Sequence, residues 1–437
     1  MRRNNDRLAL HGGAKSVSSQ PQPVSPIDPG KLKRAVCDLI DQGVFSDASA
    51  EGVIARVERE FADYIGVPYC LSFSSGTTAL FSAYFAVGIQ PGDEVIHPCY
   101  SWISAIAPIA YLGARPVFCE VSGNTLLIDS SRIEERIGPR TKAISLVHMH
   151  GNLCEMDTVL AIAKRHGLRV IEDCSHSHGA RYRGVACGAL GDIACFSMQG
   201  APVGGKPIAC GEGGFAVTKD RELFERMLLF AHINRFPIDG QYMRPEWNVL
   251  SPFNMGMKFR AHPWAMECAS LGLHELDRIN ARKRELKQYV EKALAEYGCL
   301  LPVETCAGSL PGGFYGGLNF RYRSEKLAGT PVSVFLEALN AEGVAAGPAP
   351  CPLLHRLPLF RNGPVAKRLG GKPAREDLQR WPAYALPASE KAHAEIINVL
   401  YPMEILKDDP YVNQMLSAFR KVCLHIQAAG ALRRIKD

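Results

Sequence analysis

Short apolar runs alternate with helix-like segments from about residue 69 to residue 218, and this alternation constrains the fold more than any other feature of the chain. The helix-like segments include TTALFSAYFAVG and MDTVLAIAKRHG. Strands that are apolar on both faces and separated by helices predict an α/β protein with a mostly parallel sheet covered by helices. Such a sheet binds ligands at the carboxyl ends of its strands. The strand candidates are YCLSFSSG, DEVIHPCY, RPVFCEV, KAISLVHMHG, LRVIEDCS, IACFSMQ and GGFAVT.

Changes in pattern divide the chain into three predicted parts. Residues 1–27 are polar and contain prolines, so we expect an N-terminal arm or linker rather than packed structure. Residues 28–275 carry the alternating pattern and form the predicted large domain. A long helix then leads into a smaller C-terminal α/β domain over 276–437, in which GGLNFRYR predicts a strand and VSVFLEALNAEG a helix.

Composition excludes several classes of protein. The 437 residues are 47% hydrophobic with a formal net charge of +6, and the basic residues are scattered, so we expect no nucleic-acid partner. The fourteen cysteines form no CxxC pair, which favours reduced thiols in a cytoplasm. The start of the chain has no apolar leader segment, and ISAIAPIAYLGA is too short to span a bilayer. We therefore expect a cytoplasmic protein outside the membrane.

Two carboxylates end the apolar strand in LRVIEDCSHSHGA. Glu172 and Asp173 point to opposite faces of a strand, so only one of them faces a given site. A carboxylate buried there needs a cation as partner, and a protonated pyridine nitrogen would serve. A helix cap or a structural ion pair is the alternative explanation.

Three further features lie at the ends of predicted strands. SFSSGTTAL places hydroxyls and free N–H groups at a helix start, which suits a phosphate, although a plain helix cap has the same composition. Trp102 can stack on a flat ring or belong to the core. Lys206 is the one lysine between Lys164 and Lys219 and lies in a glycine-rich segment. Pyridoxal 5′-phosphate (PLP) is one ligand that needs a phosphate turn, an aromatic ring, a carboxylate and an amine.

The same motifs resemble the sugar aminotransferase family of the DegT and StrS type, nearly from end to end. SSGTTAL is similar to its phosphate turn, VIEDCSHSHGA to its aspartate motif, and CGEGGFAVT after Lys206 to its lysine signature. FSMQ, GMKFRAHP and LHRLPLF resemble the branch that contains glutamine:scyllo-inosose aminotransferases. The resemblance implies the aspartate aminotransferase fold, which is PLP-dependent transferase fold type I. It also implies a homodimer with a shared active site.

The resemblance further implies a PLP-dependent aminotransferase that moves an amino group from glutamine or glutamate to a keto-sugar or keto-cyclitol. Lys206 resembles the Schiff-base lysine that later moves a proton, and Asp173 the partner of the pyridine nitrogen. The residues implied to bind the cofactor are Gly76, Thr77, Trp102, Asp173, His176, Ser197, Lys206 and Lys258. Among them, Lys258 lies where relatives reach a neighbouring subunit's phosphate. No metal is predicted.

The segment between Ser197 and Lys206 is a few residues longer than is usual in the family. Glycines beside Lys206 permit a close approach of the backbone to a cofactor. They do not explain residues 200–203, and we predict that these bulge toward the site entrance and act on the acceptor. A neutral surface insertion is the alternative.

Three other functions are consistent with parts of the pattern. Cys174, His176 and His178 alternate, and His148 and His150 repeat that spacing, so a metal site is one alternative. A PLP-dependent sugar dehydratase is the second, although relatives of that kind typically replace the lysine by histidine. A non-catalytic PLP-binding homologue is the third.

Overall fold

The computed structural model describes residues 7–237, 239–361, 384–400, 403 and 405–434. Residues 1–6 of the predicted arm and residues 362–383 of the predicted small domain lie outside the described residues. No helix in the described ranges combines the length and apolar character that crossing a membrane requires.

A seven-stranded sheet forms the centre of the larger part of the molecule, in the order β1-β9-β8-β5-β4-β2-β3. Neighbouring strands are parallel from β8 through β3, whereas β9 runs antiparallel to both β1 and β8. The predicted mostly parallel sheet is confirmed. The strands of this sheet are β1 (Tyr69–Phe73), β2 (Glu94–Pro98), β3 (Arg115–Cys119), β4 (Thr141–Val147), β5 (Arg169–Asp173), β8 (Ile193–Ser197) and β9 (Gly214–Thr218).

Helices connect and cover these strands. Ser75 caps the start of α3 and forms a reciprocal capping box with Thr78, and Gly167 caps the end of α5 in a left-handed conformation, which is a common helix stop. The helices before residue 300 are α1 (Pro29–Asp41), α2 (Val53–Ile65), α3 (Gly76–Ala86), α4 (Ala107–Tyr111), α5 (Met156–His166), α6 (Arg221–Ala231) and α7 (Pro263–Ala295).

The C-terminal part is built on an antiparallel sheet in the order β10-β12-β14-β13. A third sheet has three strands in the order β11-β6-β7. In it, the β6–β7 hairpin of the larger part pairs with β11, the strand that precedes β12. The strands are β6 (Arg181–Tyr182), β7 (Val185–Ala186), β10 (Leu300–Pro302), β11 (Ser309–Leu310), β12 (Leu318–Tyr322), β13 (Ala346–Pro348) and β14 (Ile396–Val399). The helices are α8 (Val332–Ala341), α9 (Pro358–Arg361), α10 (Pro387–Ala394) and α11 (Pro410–Arg434).

Helix α7 links two hydrophobic cores. Its first half contributes Met266 and Leu276 to the core around the seven-stranded sheet, and its second half contributes Leu286 and Leu294 to the core of the C-terminal part. The larger core also includes Leu354 and other residues from the segments on either side of residues 362–383. The division of the chain at residue 275 stays a prediction.

The N-terminal arm is packed, which differs from the expectation of an arm or linker without packed structure. Leu8 and Val17 are buried in the core of the C-terminal part. The Glu342 carboxylate accepts hydrogen bonds from the backbone N–H groups of Ala9 and Ser16, at 2.7 and 3.0 Å. The sequence did not predict this packing, because the arm has few apolar residues and is held largely by hydrogen bonds from its backbone N–H groups.

Candidate active site

A cavity of about 710 Å³ opens at the carboxyl ends of the parallel strands. Asp173 and Ser197 are the last residues of β5 and β8, and both line it. Of the cofactor residues implied by the sequence, seven line this one cavity, namely Gly76, Thr77, Trp102, Asp173, His176, Ser197 and Lys206. Residues that lie far apart in the sequence therefore meet where an α/β sheet binds its ligands.

Lys206 ends a short loop that closes on itself. Its backbone N–H donates to the carbonyl of Gln199 at 2.9 Å, and Gly200 pairs with Gly211 through two backbone hydrogen bonds. A Cβ on Gly200 would lie 2.5 Å from the Cα of Gly205, so the crossing of the loop on itself requires glycine. Gly204 lines the cavity, and the action of residues 200–203 on the acceptor stays a prediction.

The Lys206 side chain is 7% exposed and its amine faces the cavity. Burial lowers the pKa of Lys206 to about 8, while the nearby Asp173 carboxylate opposes this shift. The Nζ atom lies 3.7 Å from the centre of the Tyr315 ring. Because its pKa lies near neutrality, this amine can both give and accept a proton under physiological conditions.

Asp173 is buried beside this amine. Burial raises its pKa, and hydrogen bonds from Ser175 and the charge of Lys206 oppose that rise. One carboxylate oxygen accepts the backbone N–H of Ser175 at 2.9 Å. This leaves a carboxylate at the end of β5 that can pair with a cation brought into the cavity.

The N-terminus of α3 forms another wall of the cavity. Ser75 and Thr78 cap the helix reciprocally, so the hydroxyls of these two residues form a plain helix cap, which was the alternative explanation for this motif. Gly76 and Thr77 begin the helix and line the cavity, and first-turn N–H groups have no partner within the helix. A Cβ on Gly76 would lie 2.6 Å from the Cβ of Ser197, so glycine here lets β8 approach the helix start. The arrangement is suited to an anion.

Three histidines lie near the amine, of which His176 and His178 are buried and His150 is partly buried. His176 lines the cavity, and in the described chain its buried Nδ1 has no hydrogen-bond partner. His150 also lines it, with its Nε2 3.2 Å from the Tyr100 hydroxyl and its Nδ1 3.3 Å from the Tyr315 carbonyl. Burial lowers the pKa of His150 to about 4 and that of His178 to about 3. These rings are therefore neutral at physiological pH.

Two of the predicted residues are exposed in a single chain. Trp102 follows β2 and lines the cavity, but it is 56% exposed. Lys258 is exposed and lies outside the cavity wall, and its backbone pairs with His232. Stacking by Trp102 and a reach of Lys258 to a neighbouring subunit both stay predictions.

The structure brings together a group of possible metal ligands that differs from the one the sequence suggested. The possible ligand atoms of His148, Glu172, Cys174 and Cys187 lie within 4.8 Å of one another, and His176 and His178 are not part of this group. The Nδ1 atom of His148 accepts the backbone N–H of Cys154, so its Nε2 carries the proton that bonds to Glu172 at 3.0 Å. With that hydrogen bond in place, His148 offers no lone pair to an ion.

Glu172 points away from the cavity, as strand alternation predicts for the neighbour of Asp173. Besides His148, it accepts the backbone N–H groups of Gly188, Leu190 and Gly191 at 3.3, 3.0 and 2.6 Å. Its negative charge is therefore balanced by donors that are part of the fold. Of the two strand-end carboxylates, Asp173 is the one available to a ligand.

The sequence did not indicate Gln199 or Tyr315 as site residues, and it indicated His150 only as a possible metal ligand. All three line the cavity, and the Tyr315 hydroxyl donates to the Gln199 side-chain oxygen at 3.5 Å. His150 had a weak signal, because it lies near the end of the predicted strand KAISLVHMHG. Tyr315 had none, since it reaches the cavity from the segment before β12.

The residues present fit PLP. The cavity volume lies in the range of small-molecule sites. The α3 N-terminus can hold a phosphate, Asp173 can pair with a pyridinium nitrogen, and the amine of Lys206 can attach an aldehyde. The buried Nδ1 of His176 offers a group to a ring substituent. Each of these groups lines the same cavity, so one ligand can meet them all.

Comparisons with known proteins agree with this chemistry. The chain is 33% identical over 435 residues to L-glutamine:2-deoxy-scyllo-inosose aminotransferase of Streptomyces paromomycinus, covering 96% of this chain and 98% of the relative. It is 32% identical to L-glutamine:scyllo-inosose aminotransferase of Streptomyces griseus, with 95% and 97% coverage. A crystal structure of 3-amino-5-hydroxybenzoic acid synthase shares the fold, with a TM-score of 0.75, 23% identity and coverage of 93% and 100%.

The model of the DegT/DnrJ/EryC1/StrS aminotransferase family matches residues 32–377. This match spans both the lysine loop and the strand-end aspartate, and it confirms the resemblance drawn from the motifs. The chain belongs to the DegT/DnrJ/EryC1/StrS aminotransferase family and is a PLP-dependent aminotransferase.

Proposed function

We propose that this aminotransferase takes its amino group from glutamine and transfers it to a free keto-cyclitol. The relatives that match nearly the whole chain carry names of L-glutamine:scyllo-inosose and 2-deoxy-scyllo-inosose aminotransferases. A cyclitol ketone is uncharged and presents hydroxyl groups around its ring. A nucleotide-linked sugar, in contrast, carries two phosphates that need cationic or helix N-terminal partners.

The charge of the cavity wall is the observation that favours a free cyclitol over a nucleotide-linked sugar. Among the described residues that line the cavity, Lys206 is the one lysine and there is no arginine, while Glu212 adds a negative charge. The α3 N-terminus is taken up by the cofactor phosphate in this proposal. The wall beyond it offers neutral hydrogen-bonding groups, such as the Gln199 amide and the Tyr315 hydroxyl, which suit hydroxyls better than phosphates.

The side chains have separate roles in the proposed site. PLP supplies an electron sink for the bond that changes at the amino-bearing carbon. Lys206 attaches the cofactor and, once free, moves a proton at its Nζ atom. Asp173 holds a proton on the pyridine nitrogen through its charge. Gly76, Thr77 and Ser197 bind the phosphate, His176 contacts the ring substituent, and Trp102 stacks on the ring.

A second copy of the chain completes the site in this proposal. Lys258 lies in a surface segment that exposes large apolar side chains, including Val249 at 83% and Phe253 at 66%. Apolar residues exposed to this degree on neighbouring turns are typical of a covered interface. Burial of this segment in a homodimer would bring Lys258 toward the partner's phosphate. As a compact positive charge, Lys258 suits that role.

The proposed enzyme works in a reducing cytoplasm. The fourteen cysteines form no CxxC pair, and most of them are buried, a usage typical of thiols that are kept reduced.

The decisive experiment is a set of half-reactions followed by cofactor absorbance. Glutamine should convert the bound cofactor to its amino form, and scyllo-inosose or 2-deoxy-scyllo-inosose should return it, whereas a nucleotide-linked keto-sugar should not. Glutamate in place of glutamine tests the donor. A rapid return with the nucleotide-linked sugar and none with either cyclitol would refute the proposed acceptor and leave the aminotransferase assignment intact.

A further inference from the structure

Tyr315 contacts several residues of the candidate active site, although no sequence motif in its segment predicts this. The face of its ring lies 3.7 Å from Lys206 Nζ, and its ring centre lies 5.0 Å from that of His176. Its hydroxyl donates to Gln199 and its carbonyl accepts from His150 Nδ1. Tyr315 comes from the segment before β12, so it approaches the amine from the C-terminal part of the chain.

Few groups around Lys206 favour its protonated form, so the contact with the Tyr315 ring matters for its charge. Asp173 is the carboxylate whose charge favours the protonated amine, while His176, His150 and Cys351 are neutral because burial disfavours their charged forms. An aromatic face attracts an ammonium ion more strongly when both are removed from water. Tyr315 therefore offers a second favourable contact to a protonated Lys206, in addition to the charge of Asp173.

Two neighbours hold the ring in this place. His150 has a left-handed backbone, with φ of 55°, and its ring is fixed between the Tyr100 hydroxyl and the Tyr315 carbonyl. Gln199 bonds to the Tyr315 hydroxyl through its side chain and to Lys206 N–H through its carbonyl. A non-glycine residue in this left-handed conformation costs free energy, and the two hydrogen bonds of its ring help to hold it there.

We propose that Tyr315 is a catalytic residue, whose ring face holds the Lys206 ammonium against the cavity wall whenever this amine is not attached to the cofactor. The amine is then kept within reach of the substrate carbon during proton transfer. The hydroxyl of Tyr315 has a separate task, which is to fix the ring against Gln199. This inference rests on the assignment of Lys206 proposed above and is independent of the identity of the keto acceptor.

The test measures the pKa of Lys206 in the full-length protein after removal of the cofactor. Trace acetylation at a series of pH values, read by peptide mass spectrometry, reports the pKa of each lysine. Tyr315→Leu keeps the site apolar but removes the aromatic face, so we expect the pKa of Lys206 to fall by about 1 unit. Tyr315→Phe keeps the face, and its value should stay within about 0.3 unit of the wild type.

Tyr289→Leu is the matched control. Lys407 Nζ lies 5.2 Å from the centre of the Tyr289 ring, so this change also removes an aromatic face from a lysine, but outside the cavity. The pKa of Lys206 should not respond to it. If Tyr315→Leu fails to fold, pentafluorophenylalanine at position 315 retains the ring shape and reverses the sign of its face, and the same downward shift is expected relative to Tyr315→Phe.

Kinetics supply the second readout. In the donor half-reaction, Tyr315→Leu should lower kcat about tenfold with little change in KM, and Tyr315→Phe should restore most of the rate. An unchanged or higher pKa of Lys206 in Tyr315→Leu, or equal shifts in the Leu and Phe variants, would overturn the inference. Failure of the Lys206 assignment itself would show differently, as a borohydride-reducible link to the cofactor that survives in Lys206→Ala.

Discussion

The polar groups on the two sides of β5 differ in how far the fold itself supplies their partners. Behind the strand, Glu172 has four hydrogen-bond donors from His148 and the 188–191 backbone, and all of them are part of the fold. On the cavity side, Asp173 and Lys206 are buried with shifted pKa values, and His176 Nδ1 has no partner among the described residues. Buried polar groups with unfilled requirements are expected where a ligand supplies the missing partners.

This contrast predicts that substitutions on the cavity side cost activity, and that substitutions behind the strand cost stability. Lys206→Ala should have the largest effect, a loss of about 10³-fold or more in both half-reactions, because the amine is the proposed proton carrier. Without cofactor, its melting temperature should not fall below that of the wild type, since burial of this amine lowers its pKa and so opposes folding. Lys164→Ala, at an exposed lysine on α5, is the control and should be fully active.

Asp173→Asn should follow, with a loss of about 10²-fold in the half-reactions, because a neutral amide cannot hold a proton on the pyridine nitrogen. Burial raises the pKa of Asp173, so the ionised carboxylate opposes folding at neutral pH, and the melting temperature of the cofactor-free variant should stay level or rise. Stopped-flow absorbance and thermal unfolding measure the two quantities. Wild-type rates in Asp173→Asn would remove this residue from the proposed site.

Glu172→Gln should reverse the pattern. The amide group would point an NH₂ at backbone N–H donors, so we expect a loss of about 2–3 kcal/mol in the free energy of unfolding. Activity per folded molecule should change much less than in Asp173→Asn. Denaturant unfolding with both variants side by side gives the comparison directly. A stable but inactive Glu172→Gln would contradict the division between the two sides of the strand.

Lys258→Ala should have the smallest effect, about a tenfold weaker retention of PLP, because one surface charge to the phosphate is removed. Equilibrium dialysis against PLP measures it. Mixing Lys258→Ala with Lys206→Ala should restore some activity, since a hybrid dimer contains one site with both lysines. Normal PLP affinity in Lys258→Ala, or a monomer that binds PLP as tightly as the wild type, would argue against a shared site.

The sequence predicted the parts of this molecule that depend on local pattern. Strand and helix periodicity identified the central sheet, and alternation along β5 separated Asp173 from Glu172. Turn chemistry placed Gly76 and Thr77 at a helix start. In each case a rule of local geometry connects the residues to their position, so one sequence was sufficient.

The missed features depend on contacts between distant segments. Tyr315 reaches the amine because the segment before β12 packs over the cavity, and no spacing in the chain indicates that approach. The N-terminal arm packs through backbone donors to Glu342, which have no signature in side-chain composition. The proposed role of Lys258 involves a second copy of the chain, and no local pattern predicts a contact between copies.

Borohydride reduction tests most directly whether Lys206 is the amine that attaches PLP. The PLP-loaded wild-type protein would be reduced, digested and mapped by mass spectrometry. We expect a phosphopyridoxyl group on the peptide that contains Lys206, and no such group in Lys206→Ala treated in the same way. A modified peptide containing any other lysine in the wild type, with the Lys206 peptide unmodified, would contradict this assignment.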